Sequence, residues 1–182
     1  MKHWLPAKPF ATDNFDGGVR RMGRDAALSK RHIELNPTVV TSMLALDLDR
    51  PGAYDDVQRA VDGGTIQQPN VFTPSKSGQG RGHAIWYTAE PITMTPGALQ
   101  HPKDYAAAIL VAAAKHLGAD RGYRAKFTYS PLNIHAEPIW GDTRAYRLGE
   151  LAQGLELETT SRGPYSRKTQ ELIENAEGRN SM

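Results

Sequence analysis

The spacing of apolar positions changes several times along this chain, and each change marks an element. Residues 38–48 are rich in Val, Thr and Leu and predict a buried strand. Residues 53–61 carry the period of a short amphipathic helix, ended by Gly63-Gly64. Residues 70–73 predict a short strand. Residues 83–89, reading HAIWYTA, alternate as a longer strand. Residues 103–117 are Ala-rich and predict a helix closed by Gly118, residues 123–129 another strand, and 147–153 and 166–176 more polar helices. Near the N-terminus, residues 1–18 hold Pro6, Pro9, Gly17 and Gly18 and predict an irregular arm. Residues 19–35, centred on Ala26, Ala27 and Leu28, predict a helix stopped by Asn36-Pro37. Strands and helices alternate irregularly, and the strands at 70–73 and 83–89 are joined by a loop. That pattern predicts an α+β fold with a mixed or antiparallel sheet.

Composition narrows the class. The chain has 182 residues and no cysteine, so disulfides and thiolate metal sites are excluded and nothing points to secretion. No apolar run approaches membrane-spanning length and the N-terminus lacks a signal-peptide core, which gives a cytoplasmic location and no membrane partner. Net charge is only +2, but its distribution is uneven. Arg20, Arg21, Arg24, Lys30 and Arg31 crowd one segment with only Asp25 between them. Such a cluster follows a nucleic-acid backbone or is a solvated helix face.

The chemistry concentrates at Leu44-Ala45-Leu46-Asp47-Leu48-Asp49. In a strand, Asp47 and Asp49 point to one face, about 6–7 Å apart along the backbone, while Leu46 and Leu48 point to the other. Two bare carboxylates this close repel unless a cation sits between them, and Mg²⁺ or Mn²⁺ suits oxygen ligands. The plainer alternative is a strand end capping the turn at Pro51-Gly52. A second segment, residues 74–83, carries three glycines with Lys76, Ser77 and Arg81, a composition suited to a polyphosphate. It lacks the ending of a Walker loop, and a strand follows it. A flexible hairpin loop is the alternative. His83 opens that strand, either as a phosphate or sugar contact or as a hydrogen-bonded structural group. Rolling-circle chemistry is excluded on its ligands, because His135 has no histidine partner at the required spacing.

The order of these segments resembles the archaeo-eukaryotic primase superfamily, and within it the replicase family of plasmid and phage replication initiators. The resemblance rests on residues 32–37 (HIELNP), 44–49, Gln68-Pro69-Asn70, Gly80 to Tyr87 and Glu90-Pro91-Ile92. Leu117 to Asp120 and Tyr146 to Ala152 extend it, so that it spans about residues 32–152. One departure stands out: where the family carries Lys-Asn-Pro-Leu-His, this chain reads Tyr129-Ser130-Pro131-Leu132-Asn133. The Gly178-Arg179-Asn180 ending resembles the start of the family's following helical region, which implies a cut at a domain boundary.

The resemblance implies an RRM-like sheet with added N-terminal helical elements, an arm over 1–18, a catalytic domain over 19–155 and a helical extension over 156–182. It implies a primase-polymerase that transfers nucleotides from nucleoside triphosphates on a DNA template, with an RNA primer as a further partner. Asp47 and Asp49 are the expected metal ligands for Mg²⁺ or Mn²⁺, with His83 as a catalytic residue beside them. Lys76, Ser77, Arg81 and His83 are the expected nucleotide contacts. The cluster from Arg20 to Arg31 is the expected nucleic-acid contact. Asp120, Glu137 and Asp142 are the candidates for a third acid. Two other classes fit the same residues: a non-enzymatic origin or single-strand DNA-binding module, and a metal-dependent nuclease.

Overall fold

The computed structural model describes residues 3–120, 122–123 and 125–158. Two four-stranded antiparallel sheets and a layer of helices make up the fold. The first sheet is built from β1 (Phe10–Thr12), β2 (Arg20–Arg21), β3 (His32–Glu34) and β7 (Phe127–Tyr129), in the order β2-β1-β3-β7. The second holds β4 (Val40–Leu48), β5 (Val71–Pro74), β6 (Gly82–Thr93) and β8 (Ile139–Trp140), in the order β4-β6-β5-β8. The α+β expectation holds, and all pairings between named strands are antiparallel. Among the described residues no helix is long and apolar enough to cross a membrane.

Period-2 alternation in β4 sets the layering. Leu44, Leu46 and Leu48 enter a core against α2 (Ala53–Asp62) and α3 (Gln100–Leu117), where Val57, Ile109, Ala113 and Leu117 meet Phe72 and Trp86. Met43 and Ala45 point the other way. They join Ile85, Tyr87 and Val71 in a second core against Leu5, Ala11, Ile33 and Leu35. The sheet is therefore covered on both faces, by helices on one and by the first sheet on the other, which explains the unbroken apolar runs Met43–Leu46 in β4 and Ala84–Tyr87 in β6.

The N-terminal third differs from its expectation. Residues 19–35 form β2, the short helix α1 (Arg24–Leu28) and β3 instead of one helix. The arm expected to be irregular contains β1 and a 3-10 turn at Phe15–Gly17, and its Leu5 is buried. Pairing of Ala11 with Ile33 and of Arg20 with Ala11 supplies strand hydrogen bonds on either side of Ala26-Ala27-Leu28, so the local helix preference survives only in α1.

Smaller differences have local causes. α3 starts at Gln100, earlier than expected, because Pro102 falls in the first turn, where no intrahelical N–H partner is needed. β6 runs on through Pro91, where only β4 still pairs with it, so the missing N–H leaves no ladder broken. The strand expected over 123–129 is confined to β7, and the preceding Tyr123 turns its ring toward the second sheet. The polar helix expected at 147–153 is α4 (Leu148–Ala152). The helix expected at 166–176 and most of the 156–182 extension lie outside the described residues.

Candidate active site

The site forms where the two sheets meet at one end. Register places Asp47 of β4 and Thr73 of β5 on either side of His83 in the central strand β6. Cross-strand partners share a face, so all three side chains point toward the first sheet. From that sheet β7 contributes Thr128 and Tyr129. The His83 ring thus has a carboxylate on one edge and hydroxyls on the other. Its Nε2 lies 3.4 Å from Asp47 Oδ1. Its Nδ1 lies 2.8 Å from Thr128 Oγ1, and Thr73 Oγ1 is 3.0 Å from that same hydroxyl. Thr73 and Thr128 are each 1% exposed. Donors and acceptors close in one direction when Nε2 carries the proton. Nε2–H then faces Asp47, the Thr128 hydroxyl donates to Nδ1, with the Tyr123 hydroxyl 3.3 Å from that nitrogen, and Thr73 donates to Thr128.

Two tyrosines wall the imidazole. Tyr123 packs 4.8 Å from the His83 ring and donates its phenolic proton to the Phe127 carbonyl at 2.6 Å. Burial, and then the Asp47 charge, hold its phenol well above the ordinary tyrosine range. Tyr129 packs 5.4 Å from His83. Its phenol is raised by burial first and by the charges of Asp47 and Asp49 next.

Asp49 follows the last residue of β4 and is exposed, while Asp47 is partly buried. Among the described residues neither carboxylate has an arginine or lysine partner. The nearest basic residue in sequence, Arg50, turns away: it pairs with Asp56 of α2 and donates to the Leu117 carbonyl at 2.9 Å. Two neighbouring carboxylates with only an imidazole for company fit a hard divalent cation by the chemistry of the donor set. Among the described residues no three acids or histidines are drawn together as a metal-holding group, Asp47, Asp49 and His83 included, so an ion would rest on the two carboxylates and on oxygens from its substrate. Of the three further acids considered, Asp120 comes nearest: its amide donates to the Asp47 carbonyl at 2.9 Å, while its own carboxylate caps Gly122. Asp142 is held by Arg144 and by the Tyr146 hydroxyl, which keeps its carboxyl below the usual range. Glu137 is exposed in the loop before β8.

The loop between β5 and β6 is tightly folded. Ser75 N–H donates to the Arg81 carbonyl at 2.9 Å, and Gly78, Gln79 and Gly80 all have positive φ. Its far side is pinned to the start of α2, where Gly52 N–H donates to the Gln79 carbonyl at 2.7 Å and Tyr54 N–H to Gly80 at 2.9 Å. The helix terminus is therefore occupied by the loop itself. Lys76 and Ser77 are exposed, and the Ser77 hydroxyl is 2.6 Å from that of Ser75. Arg81 has no ion-pair partner among the described residues, and its Nε is buried without a hydrogen bond. Gly82 is required by space: a Cβ there would land on the Thr73 carbonyl and 2.9 Å from the Phe72 ring.

The basic cluster is divided by the fold. Arg24 donates to the Leu5 and Pro6 carbonyls and ties down the arm. Lys30 pairs with Asp13 at 2.7 Å. Arg21 lies over the Phe10 ring and donates to the Lys8 carbonyl. Arg20 and Arg31 are exposed and have no ion pair among the described residues. Sequence reasoning missed Thr73, Thr128, Tyr123 and Tyr129 as parts of the site. Each sits in a segment assigned to a strand, and no local signal announces contact between two separate sheets.

A family model described as the Replicase family matches residues 4–155. Among solved structures, the chain is similar to the AEP domain of the cyanophage S-2L primase-polymerase (PrimPol). The TM-score is 0.51 at 13% sequence identity, over 82% of this chain and 90% of that one. At that identity the likeness is one of fold. No curated protein sequence matches the chain.

Proposed function

The chain belongs to the Replicase family, and on that premise we propose that it is the primase-polymerase domain of a replication initiator, extending a strand on a DNA template from nucleoside triphosphates. The observation that carries this reading is the pair Asp47 and Asp49 at the end of β4, unpartnered by arginine or lysine among the described residues and set beside the oriented His83. Leu48, between the two acids, pairs with Gly82 at the end of the compact loop bearing Lys76 and Arg81, which supports triphosphate binding close to the acids.

Asp47 and Asp49 would hold Mg²⁺ or Mn²⁺. Such an ion, when bound, offsets triphosphate charge and acidifies an attacking 3′-hydroxyl. The chain's own residues do the rest. Lys76, Ser77 and Arg81 bind the phosphates and place the leaving group. His83, with its Nε2–H fixed toward Asp47, offers a donor at the junction of acids and phosphates. Tyr123 and Tyr129 exclude water from the imidazole. Arg20 and Arg31 contact the phosphate backbone of the template or of a DNA or RNA primer.

The test is Asp47→Ala with Asp49→Ala in one chain, assayed for metal-dependent nucleotide incorporation on primed and unprimed single-stranded templates. Loss of incorporation is expected. Full activity in the double variant overturns the proposal. A second reading, a binding module without catalysis, draws support from the missing third acid among the described residues. Equal DNA binding with and without EDTA, together with no incorporation by the unmodified chain, establishes that reading instead.

A further inference from the structure

We propose that the outward face of the first sheet is a stacking platform for the bases of an unpaired DNA strand, centred on Phe15 and running into the Asp47–His83 site. Alternation in β3 and β7 turns Ile33 into the core between the sheets and leaves His32, Phe127 and Tyr129 on the opposite face. Phe15, from the 3-10 turn, settles on that face. Its ring centroid is 4.6 Å from His32 and 5.4 Å from Phe127. His32 is 5.0 Å from Tyr129, which is 5.4 Å from His83. Rings from several separate segments therefore make one unbroken row that ends at the proposed catalytic histidine.

Neither hydrophobic core accounts for this row. Phe15, His32, Phe127 and Tyr129 belong to neither core cluster, and Phe15 is 48% exposed. An exposed phenylalanine, tilted 44° to His32 and edge-on to Phe127, leaves aromatic surface open to solvent. The flank carries cations and acids: Arg31 precedes His32 and the exposed Arg20 lies on the edge strand of the same sheet, while Asp13 pairs with Lys30 and Glu34, buried on this face, accepts from the Phe10 amide. Aromatic faces bordered by backbone-contacting cations recognise single strands, because a duplex hides the π faces of its bases. The row's continuity with the acids selects the strand at the reacting end over a distant one. That choice of DNA rests on the function proposed above.

The experiment measures binding of a labelled oligodeoxythymidylate to the full chain by fluorescence anisotropy, in EDTA and without nucleotide. Phe15→Ala is expected to weaken binding about ten-fold, the loss of one stacked base. Phe15→Trp is expected to bind at least as tightly as the unmodified chain. Circular dichroism and thermal melting check that both variants fold, and Phe15→Trp keeps the test decisive if Phe15→Ala does not. Unchanged affinity in Phe15→Ala, weakened affinity in Phe15→Trp, no oligonucleotide binding by the unmodified chain, or equal affinity for a hairpin duplex overturns the platform. Nucleotide incorporation by the same proteins separates the two proposals. A chain that incorporates nothing yet loses the oligonucleotide on Phe15→Ala keeps the platform and loses the polymerase. A chain that incorporates while Phe15→Ala binds normally does the reverse.

Discussion

Thr128 of one sheet holds His83 of the other: its hydroxyl lies 2.8 Å from the imidazole Nδ1, and Asp47 lies 3.4 Å from Nε2 on the opposite edge. The buried Thr128 hydroxyl makes the shorter contact to Nδ1, with the Tyr123 hydroxyl 3.3 Å from the same nitrogen, and so sets which way the ring faces. Replacing Thr128 by Val keeps the shape and removes the donor. Nδ1 then keeps only the longer contact to the Tyr123 hydroxyl, and the loss costs about 1 kcal/mol. The expected result is a lower melting temperature and a fall in incorporation rate at saturating nucleotide. Thr128→Ser is expected to restore the rate. A Thr128→Val chain with an unaltered rate contradicts the positioning role.

Carboxylate repulsion gives a second prediction, independent of catalysis. Without metal, Asp47→Asn with Asp49→Asn removes two neighbouring like charges and is expected to melt at or above the temperature of the unmodified chain. Saturating Mn²⁺ is expected to stabilise the unmodified chain, by about 2.7 kcal/mol at one hundred times Kd, and to leave the double variant unmoved. Calorimetry with and without EDTA makes the comparison. An equal shift in both proteins places the ion elsewhere.

Space at the base of the phosphate loop gives a third. Gly82 packs so closely on Thr73 and Phe72 that Gly82→Ala must push β5 and β6 apart. Overpacking of this kind costs about 1–3 kcal/mol, and here it also displaces His83, the next residue. Urea unfolding is expected to show the loss. Gly97→Ala, where a Cβ meets nothing within 4 Å, serves as the control and is expected to be nearly neutral.

Acid sensitivity gives a fourth. Burial, then the nearby Arg31 charge, holds the His32 imidazole below the ordinary histidine value. The unfolded chain then takes up a proton at a higher pH than the folded one. This contribution to stability is complete above about pH 6.5 and is lost as pH falls toward the lower folded value. Unfolding free energies at pH 7.5 and pH 5.5 are expected to differ less in His32→Gln than in the unmodified chain. An identical difference assigns the acid sensitivity to other groups.

The sequence was most legible where one face of an element is buried continuously. The alternation of Leu44, Leu46 and Leu48 against Met43 and Ala45 fixes β4 and sends Asp47 to the inner face. Helices α2 and α3 followed from their apolar spacing and terminal glycines. The N-terminal strands were not legible, because β1, β2 and β3 are two or three residues long and are stabilised by partners far away in sequence. The carboxylates, the histidine and the loop were legible because strand period and glycine content constrain them locally. Thr128 was invisible for the opposite reason: nothing in Phe127-Thr128-Tyr129 says that its hydroxyl reaches a strand some forty residues upstream.

Because the histidine sits on one sheet and its steering hydroxyl on the other, the two can be uncoupled without melting the protein. If the small N-terminal sheet loosens, the acids stay anchored at the end of β4 while the imidazole swings free. Mild denaturant should then silence the chain before the helices unravel, leaving a folded molecule that is idle.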